Sequence, residues 1–378
     1  MARAIRTGLA ALCAVALAAS LGFHRTAAAD PSDGHGAVPS ISIFVNSGLN
    51  NPRGLKFGPD GYLYVAEGGI GGSNPACSVV PAVGPYTGSD TGGRISRIDG
   101  LGNRTTVTDT LPTSQTSMAS GSLVSGVADV AFIDGTMYAL LAGAGCSHGV
   151  STPNGVARIH PDGTWELIAN LSAFQQANPV KNPNPGDFEP DGTWWSMLAV
   201  HGDLYAVEPN HGELDKITLQ GKVSRVVDIS ASQGHVVPTA MSRHGNNFYV
   251  SNLGTFDTDQ LNSQSIFKIT PSGELRIVAT GFSKVLGLAF DERARLYVLE
   301  TSYSATDPGP EPGTGRLIRV LPNGRQEVLI DSTSGLLMFP TGMTFGPDGA
   351  LYISNVGFGP PPIGLGQILR VQFRDDDD

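Results

Sequence analysis

One hairpin pattern recurs along the chain and limits its fold more than any other feature. The clearest copy is NPRGLKFGPDGYLYVAEGG, Asn51 to Gly69; the last is FPTGMTFGPDGALYISNVG, Phe339 to Gly357. Each reads as strand, Gly-Pro-Asp-Gly turn, strand. Proline presets the first corner, aspartate suits a tight turn, and glycine takes the positive-φ position without steric penalty. Leu63-Tyr64-Val65 and Leu351-Tyr352-Ile353 then supply the aromatic and β-branched residues that strands favour. Four weaker copies lie between: Val127 to Gly143, Ser196 to Asn210, Pro238 to Gly254 and Leu286 to Ser302. The second strands are marked by Tyr64, Tyr138, Tyr205, Tyr249, Tyr297 and Tyr352, spaced 44 to 74 residues apart. Insertions on one face of a repeat array produce such an irregular period.

Each hairpin is followed by a third strand, such as GVARIH (Gly155 to His160), SIFKIT (Ser265 to Thr270) or GQILRV (Gly366 to Val371). Turns such as Pro161-Asp162-Gly163 and Pro322-Asn323-Gly324 lead into a fourth. In the first repeat the third strand reads GRISRID, ending at Asp99. The sixth repeat has only three strands, whereas Ile41 to Val45 forms an unattached strand before the first. Pairing that strand with the last blade closes the ring and protects its open edge. Two separate small β domains would leave both ends unexplained. The predicted fold is all-β, a six-bladed β-propeller of four-stranded antiparallel blades over residues 40–374.

Composition agrees. The 378 residues include 49 glycines and 26 prolines, only 15% are charged, and 40% are hydrophobic. That mixture suits many short strands and tight turns around a real core. At the N-terminus, Arg3 and Arg6 precede an apolar run from Gly8 to Phe23, and Ala27-Ala28-Ala29 offers a cleavage site before Asp30. Residues 1–29 therefore read as a signal peptide, too short in its apolar run for a membrane span, with a linker over 30–39. The expected location is extracellular or periplasmic, with no membrane association after cleavage. Cleavage would remove Arg3, Arg6 and Arg25, leaving 21 basic against 34 acidic residues. Four of those acids, Asp375 to Asp378, form an acidic tail. Such a protein repels phosphate backbones, so nucleic acid is excluded as a partner, and nothing points beyond a monomer.

The hairpin segments, notably Ser125 to Phe132, Val237 to Ser242 and Val285 to Glu300, resemble the ScyD/ScyE family of exported propellers related to NHL-repeat proteins. The resemblance covers nearly the whole mature chain. It implies export, fold and blade order, and brings no catalytic residues with it.

Strand alternation sorts side chains by face. Long insertions over 68–93, 142–154, 172–193 and 301–314 emerge on one side, the usual place for binding on a rigid scaffold. His148, His211 and His235 fall there; His160, His201 and His244 sit in turns on the other. Cys77 and Cys146 occupy equivalent insertions of adjacent blades, which predicts a disulfide between them. Three residues after each marker tyrosine stand Glu67, Leu141, Glu208, Asn252, Glu300 and Asn355. This polar ring has two readings. Its carboxylates, Glu67, Glu208 and Glu300 above all, would suit Ca²⁺, the one cofactor candidate; alternatively each residue caps its own loop. Asp129, at an inner strand start, reads as a ligand, a base or a loop cap. Propeller lactonases and gluconolactonases place several Glu, Asn and Asp residues at such starts around one metal, and here Asp129 stands alone. Trp194-Trp195, just before blade three, suit stacking on a sugar or flat ligand, while blade packing is the favoured reading for at least one of them.

Other catalytic signatures are missing: no Gly-x-Ser-x-Gly elbow, His-Glu-x-x-His pair or P-loop occurs. Asn103 and Asn170 begin glycosylation sequons. The balance of these observations points to a binding or scaffold protein offering its long loops to a small ligand, polymer or protein. The alternative is a Ca²⁺-dependent hydrolase, lyase or quinone-dependent oxidoreductase working at the axial mouth.

Overall fold

The computed structural model describes residues 39–116, 123–255, 261–304, 310–358 and 363–373. The expected signal peptide, all but the last residue of the linker, and the acidic tail lie outside the described residues. The fold is the expected six-bladed propeller. Its first strand, β1 (Ser40–Leu49), belongs to the last blade. Blade one comprises β2 (Pro52–Phe57), β3 (Leu63–Glu67), the short β4 (Asn74–Pro75), β5 (Tyr86–Ile98), β6 (Arg104–Thr116) and the short β7 (Val124–Ser125). Blade two follows as β8 (Val127–Ile133), β9 (Thr136–Leu141), β10 (Gly155–Ile159) and β11 (Trp165–Asn170). Helix α1 (Leu171–Ala177) leads to blade three, β12 (Ser196–Val200), β13 (Asp203–Glu208), β14 (Glu213–Ile217) and β15 (Val223–Asp228). After α2 (Ser230–Gln233), blade four is β16 (Pro238–His244), β17 (Asn247–Asn252), β18 (Gln264–Ile269) and β19 (Leu275–Phe282). Blade five is β20 (Val285–Phe290), β21 (Leu296–Glu300), β22 (Arg316–Val320) and β23 (Gln326–Ile330). Blade six is β24 (Gly342–Phe345), β25 (Leu351–Asn355) and β26 (Gly366–Gln372), closed by β1 through antiparallel partners from Ser40–Gln372 to Leu49–Gly366.

Adjacent blades share a hydrophobic cluster, giving six interleaved cores in place of one. The marker tyrosines explain part of that packing. Tyr64, Tyr249, Tyr297 and Tyr352 each set their ring edge-on to a phenylalanine of the next inner strand, Phe132, Phe290, Phe345 and Phe57, at 4.8–5.1 Å. The Tyr352–Phe57 pair spans the ring seam, so closure is packed as well as hydrogen-bonded. The tyrosine hydroxyls of the Gly-Pro-Asp-Gly blades donate back to the turn aspartates, Tyr64 to Asp60 at 2.7 Å and Tyr352 to Asp348 at 3.0 Å. Gly61 and Gly349 take φ of 79° and 71°, the conformation for which the turn needs glycine.

Two features differ from expectation or refine it. The third strand of blade one begins at Tyr86, before GRISRID, because β5 and β6 continue above the blade as a long hairpin. Much of the 68–93 insertion is therefore strand. Cys77 and Cys146 form the expected disulfide, tying this hairpin's base to the Cys146–His148 turn of blade two.

Candidate functional site

The polar ring resolves into loop caps. The Glu67 carboxylate accepts the Asn50 N–H at 2.5 Å, Glu208 the Thr193 N–H at 3.0 Å, Glu300 the Ser283 N–H at 2.8 Å, and the Asn355 carbonyl the Met338 N–H at 2.8 Å. In each case the donor lies on the link entering the same blade, where the strand ladder has ended and the N–H needs another partner. The Asn252 amide donates to Ser265 O at 2.8 Å. The opposing residue on the third strand completes each pair: Glu67 faces Arg94, Glu300 faces Arg316, Asn355 faces Gln367, and Leu141 faces Gly155. Arg94 holds Glu67 through bonds of 2.9 and 2.6 Å, and Arg316 holds Glu300 at 2.6 Å. These carboxylates stand in alternate blades with their oxygens already taken by donors. Among the described residues no three acidic, histidine or cysteine side chains converge on one point. The donor set of Glu67, Glu208 and Glu300 does not fit Ca²⁺.

Blade three breaks the pairing. Glu208 faces a second acid, Glu213, and Asp215 lies two residues further along the same strand. All three are fully buried. Arg225 pairs with Glu213, and Trp194 Nε1 lies 3.4 Å from Asp215. Burial pushes Glu208 and Glu213 up to about 7 and Asp215 well above the carboxylate range. His211, held below its ordinary value by burial, meets Gln175 of α1 and stacks on Phe188 at 4.8 Å. His235 pairs with Asp187 at 3.0 Å.

At the axis, Asp129 is buried between three blades. It accepts the Met197 N–H at 2.9 Å and lies 3.7 Å from Lys56 Nζ; burial raises its pKa, with Lys56 opposing. A Cβ at Gly54 would collide with its carboxylate, which is why the neighbouring inner strand carries glycine there. The neck lined by Gly54, Lys56, Asp129, Ser196 and Thr341 encloses about 30 Å³, room for one water and not for a ligand. Chemistry on a larger molecule belongs above it.

Above the neck, four segments converge. Arg53, which opens β2, lies over the Trp195 ring at 5.1 Å. Tyr86, at the start of β5, is close enough for the Arg53 charge to oppose the strong upward shift that burial and Glu189 impose on its hydroxyl. The Tyr86 hydroxyl lies 3.4 Å from Glu189 Oε1, and the other carboxylate oxygen accepts from Thr193 and sits 3.3 Å from His148 Nε2. The Tyr86 and His148 rings are 4.3 Å apart. Ser147 fixes the histidine's turn by donating to Asp191 at 2.6 Å. The arrangement is a carboxylate accepting from a phenol and a hydroxyl, with an imidazole nitrogen 3.3 Å away and a guanidinium near the phenol. Of the expected site residues only His148 belongs here. Trp194 is fully buried between blades two and three, and Trp195 is the partly exposed one. Tyr86 and Glu189 were missed because neither occupies a repeated position, and Arg53 because the equivalent position in the other blades carries no cation.

A propeller with an acid–base cluster at its axial mouth has relatives of known name. The chain is 25% identical over 213 residues to a gluconolactonase from Zymomonas mobilis, a match covering 51% of this chain and 58% of that protein. The chain thus spans little more than half the length of the curated relative it matches. No protein-family model matches. Among solved structures, a protein of unknown function from Bacteroides thetaiotaomicron superposes with a TM-score of 0.55 at 13% identity, covering 88% of this chain and 76% of that one. A gluconolactonase from Xanthomonas campestris gives 0.51 at 9% identity, covering 89% and 90%. A glucose dehydrogenase gives 0.52 at 13%, covering 88% and 99%. These structures share the fold. The chain is a six-bladed propeller resembling gluconolactonase-type propellers, a coarser kinship than the ScyD/ScyE resemblance. The named relative is an enzyme, which overturns the expectation of a non-catalytic binding or scaffold protein and favours the enzymatic alternative.

Proposed function

We propose that this protein is an exported hydrolase that opens a lactone or related ester at the axial mouth. The observation that carries the reading is Glu189, a buried carboxylate at the mouth that accepts from Tyr86 and Thr193 and lies 3.3 Å from His148 Nε2. Glu189 takes a proton from the attacking water and returns it to the departing alkoxide. Tyr86, whose raised pKa keeps it protonated at neutral pH, donates to the carbonyl oxygen as charge develops there. Thr193 is a positioning residue for that carboxylate. The relative's name supplies the reaction class. The ScyD/ScyE resemblance contributes only export, which the Cys77–Cys146 disulfide supports, since such bonds persist in oxidising compartments.

The test is hydrolysis of glucono-δ-lactone by the purified protein, followed by acid release against the spontaneous rate. Glu189→Gln is expected to lower kcat by about 10²- to 10⁴-fold, the usual contribution of a general base. Hydrolysis no faster than in buffer, across lactones and simple aryl esters, would reject the reading.

A further inference from the structure

Resting on the hydrolase reading but testable apart from it, the geometry at Arg53 points to a substrate that carries a carboxylate. Arg53 is 7% exposed. Its guanidinium has five N–H donors, and among the described residues its one hydrogen bond is from Nη2 to the Val124 carbonyl at 2.5 Å. Among the described residues no carboxylate pairs with it, and the one ionisable group acting on it is Tyr86. Burial without a counter-ion lowers its pKa to about 10. Every other strongly buried arginine described here has an acid: Arg316 has Glu300 and Arg319 has Glu327. An enclosed cation left without one is costly unless a ligand completes it.

The surroundings define that ligand. Trp195 and Phe358 lie at 5.1 and 5.8 Å from the guanidinium carbon and hold the group by cation–π contact, so its remaining N–H groups form a pre-set fork. A planar fork matches a carboxylate through two parallel hydrogen bonds. A phosphate dianion would need further positive charge, but Lys56, the cation lining the neck, is committed to Asp129. Arg53 therefore anchors a substrate carboxylate, while the ester bond lies toward Glu189 and Tyr86. The substrate class is a lactone or ester of an acid that keeps a second, free carboxylate.

Two probes test this. The first is the ratio of kcat/KM for mono-p-nitrophenyl succinate, which carries a free carboxylate, to that for neutral p-nitrophenyl acetate. Arg53→Gln is expected to lower that ratio by about 10- to 100-fold, the worth of a charge-assisted bidentate contact, with Arg53→Lys falling between. The second needs no turnover: succinate at constant ionic strength should raise the melting temperature of the wild-type protein and alter its tryptophan fluorescence, and do neither in Arg53→Gln. Equal succinate binding by wild type and Arg53→Gln, or none by the wild type, would overturn the inference. Succinate binding without ester hydrolysis would uphold the anion site and reject the hydrolase.

Discussion

Replacing Glu300 by glutamine separates a structural cap from a metal ligand. The substitution keeps a carbonyl oxygen for the Ser283 N–H but removes the charge that Arg316 meets at 2.6 Å. Glu300 is fully buried and Arg316 is 9% exposed, so solvent does little to replace the lost partner. The Arg316 guanidinium then retains the Tyr303 ring, 3.3 Å from its central carbon. Removing one member of a buried pair costs ~3–5 kcal/mol, and the retained N–H contact places this case near the lower end, about 3 kcal/mol. Urea unfolding of wild type, Glu300→Gln, Arg316→Gln and the double variant gives the measurement. The double variant restores a neutral pair of the kind blade six carries at Asn355 and Gln367, and should recover more than half of the loss. The reasoning fails if Glu300→Gln stays within ~0.5 kcal/mol of wild type, the range of an unremarkable surface change. It fails equally if millimolar Ca²⁺ stabilises the wild type and not the variant.

Other consequences follow from the same contacts. Cys77 and Cys146 are 69 residues apart, so Cys146→Ser should lower stability by up to about 4 kcal/mol on the chain-entropy account; two alkylatable thiols in unreduced protein would show that the bridge does not form. Treatment with EDTA should leave hydrolysis unchanged, because the ring carboxylates are engaged by backbone and arginine donors; loss of activity restored by Ca²⁺ would contradict this. Glu208 and Glu213 lie at about 7, above the 4.5 of a free side chain, so the folded protein holds protons that the unfolded chain releases. Stability from these groups is full below pH 4.5 and is lost as pH rises through about 7, on the order of 3 kcal/mol for each carboxyl. Glu213→Gln should flatten the decline in stability between pH 5 and 8, and an unchanged slope would refute the assignment.

The blades were legible because each hairpin carries its own local instructions. Turn chemistry at Gly58 to Gly61 and a tyrosine on the second strand act within a few residues, and both recur. Closure by β1 was legible for a similar reason, since three strands in the last repeat demand a fourth. The ring positions could be placed, but their role could not be settled from one strand. Whether Glu67 holds a metal or a loop depends on Arg94, which lies 27 residues away and becomes its partner only through strand register. The mouth was less legible still. Tyr86 comes from an insertion, Glu189 from the link between blades, and Arg53 from a strand start where other blades carry no cation.

Blade three ties these observations together. Five blades set a compatible contact across the end of the second strand: acid with arginine twice, amide with amide once, amide with a backbone carbonyl once, and leucine with glycine once. Only Glu208 faces another acid, and Glu208 also caps Thr193, whose hydroxyl donates to Glu189. The one blade that departs from the repeat's electrostatic rule is thus joined, through a single residue, to the carboxylate assigned as the base. The capping carboxylates of blades one and five are matched by arginines and need no proton of their own, whereas the acid pair in blade three holds one near neutrality. Such local disagreement with an otherwise consistent pattern is where function is expected to reside. It agrees with the proposal that the chemistry lies at the blade-three side of the mouth, on Glu189, and away from the ring of carboxylates that the repeat first brought into view.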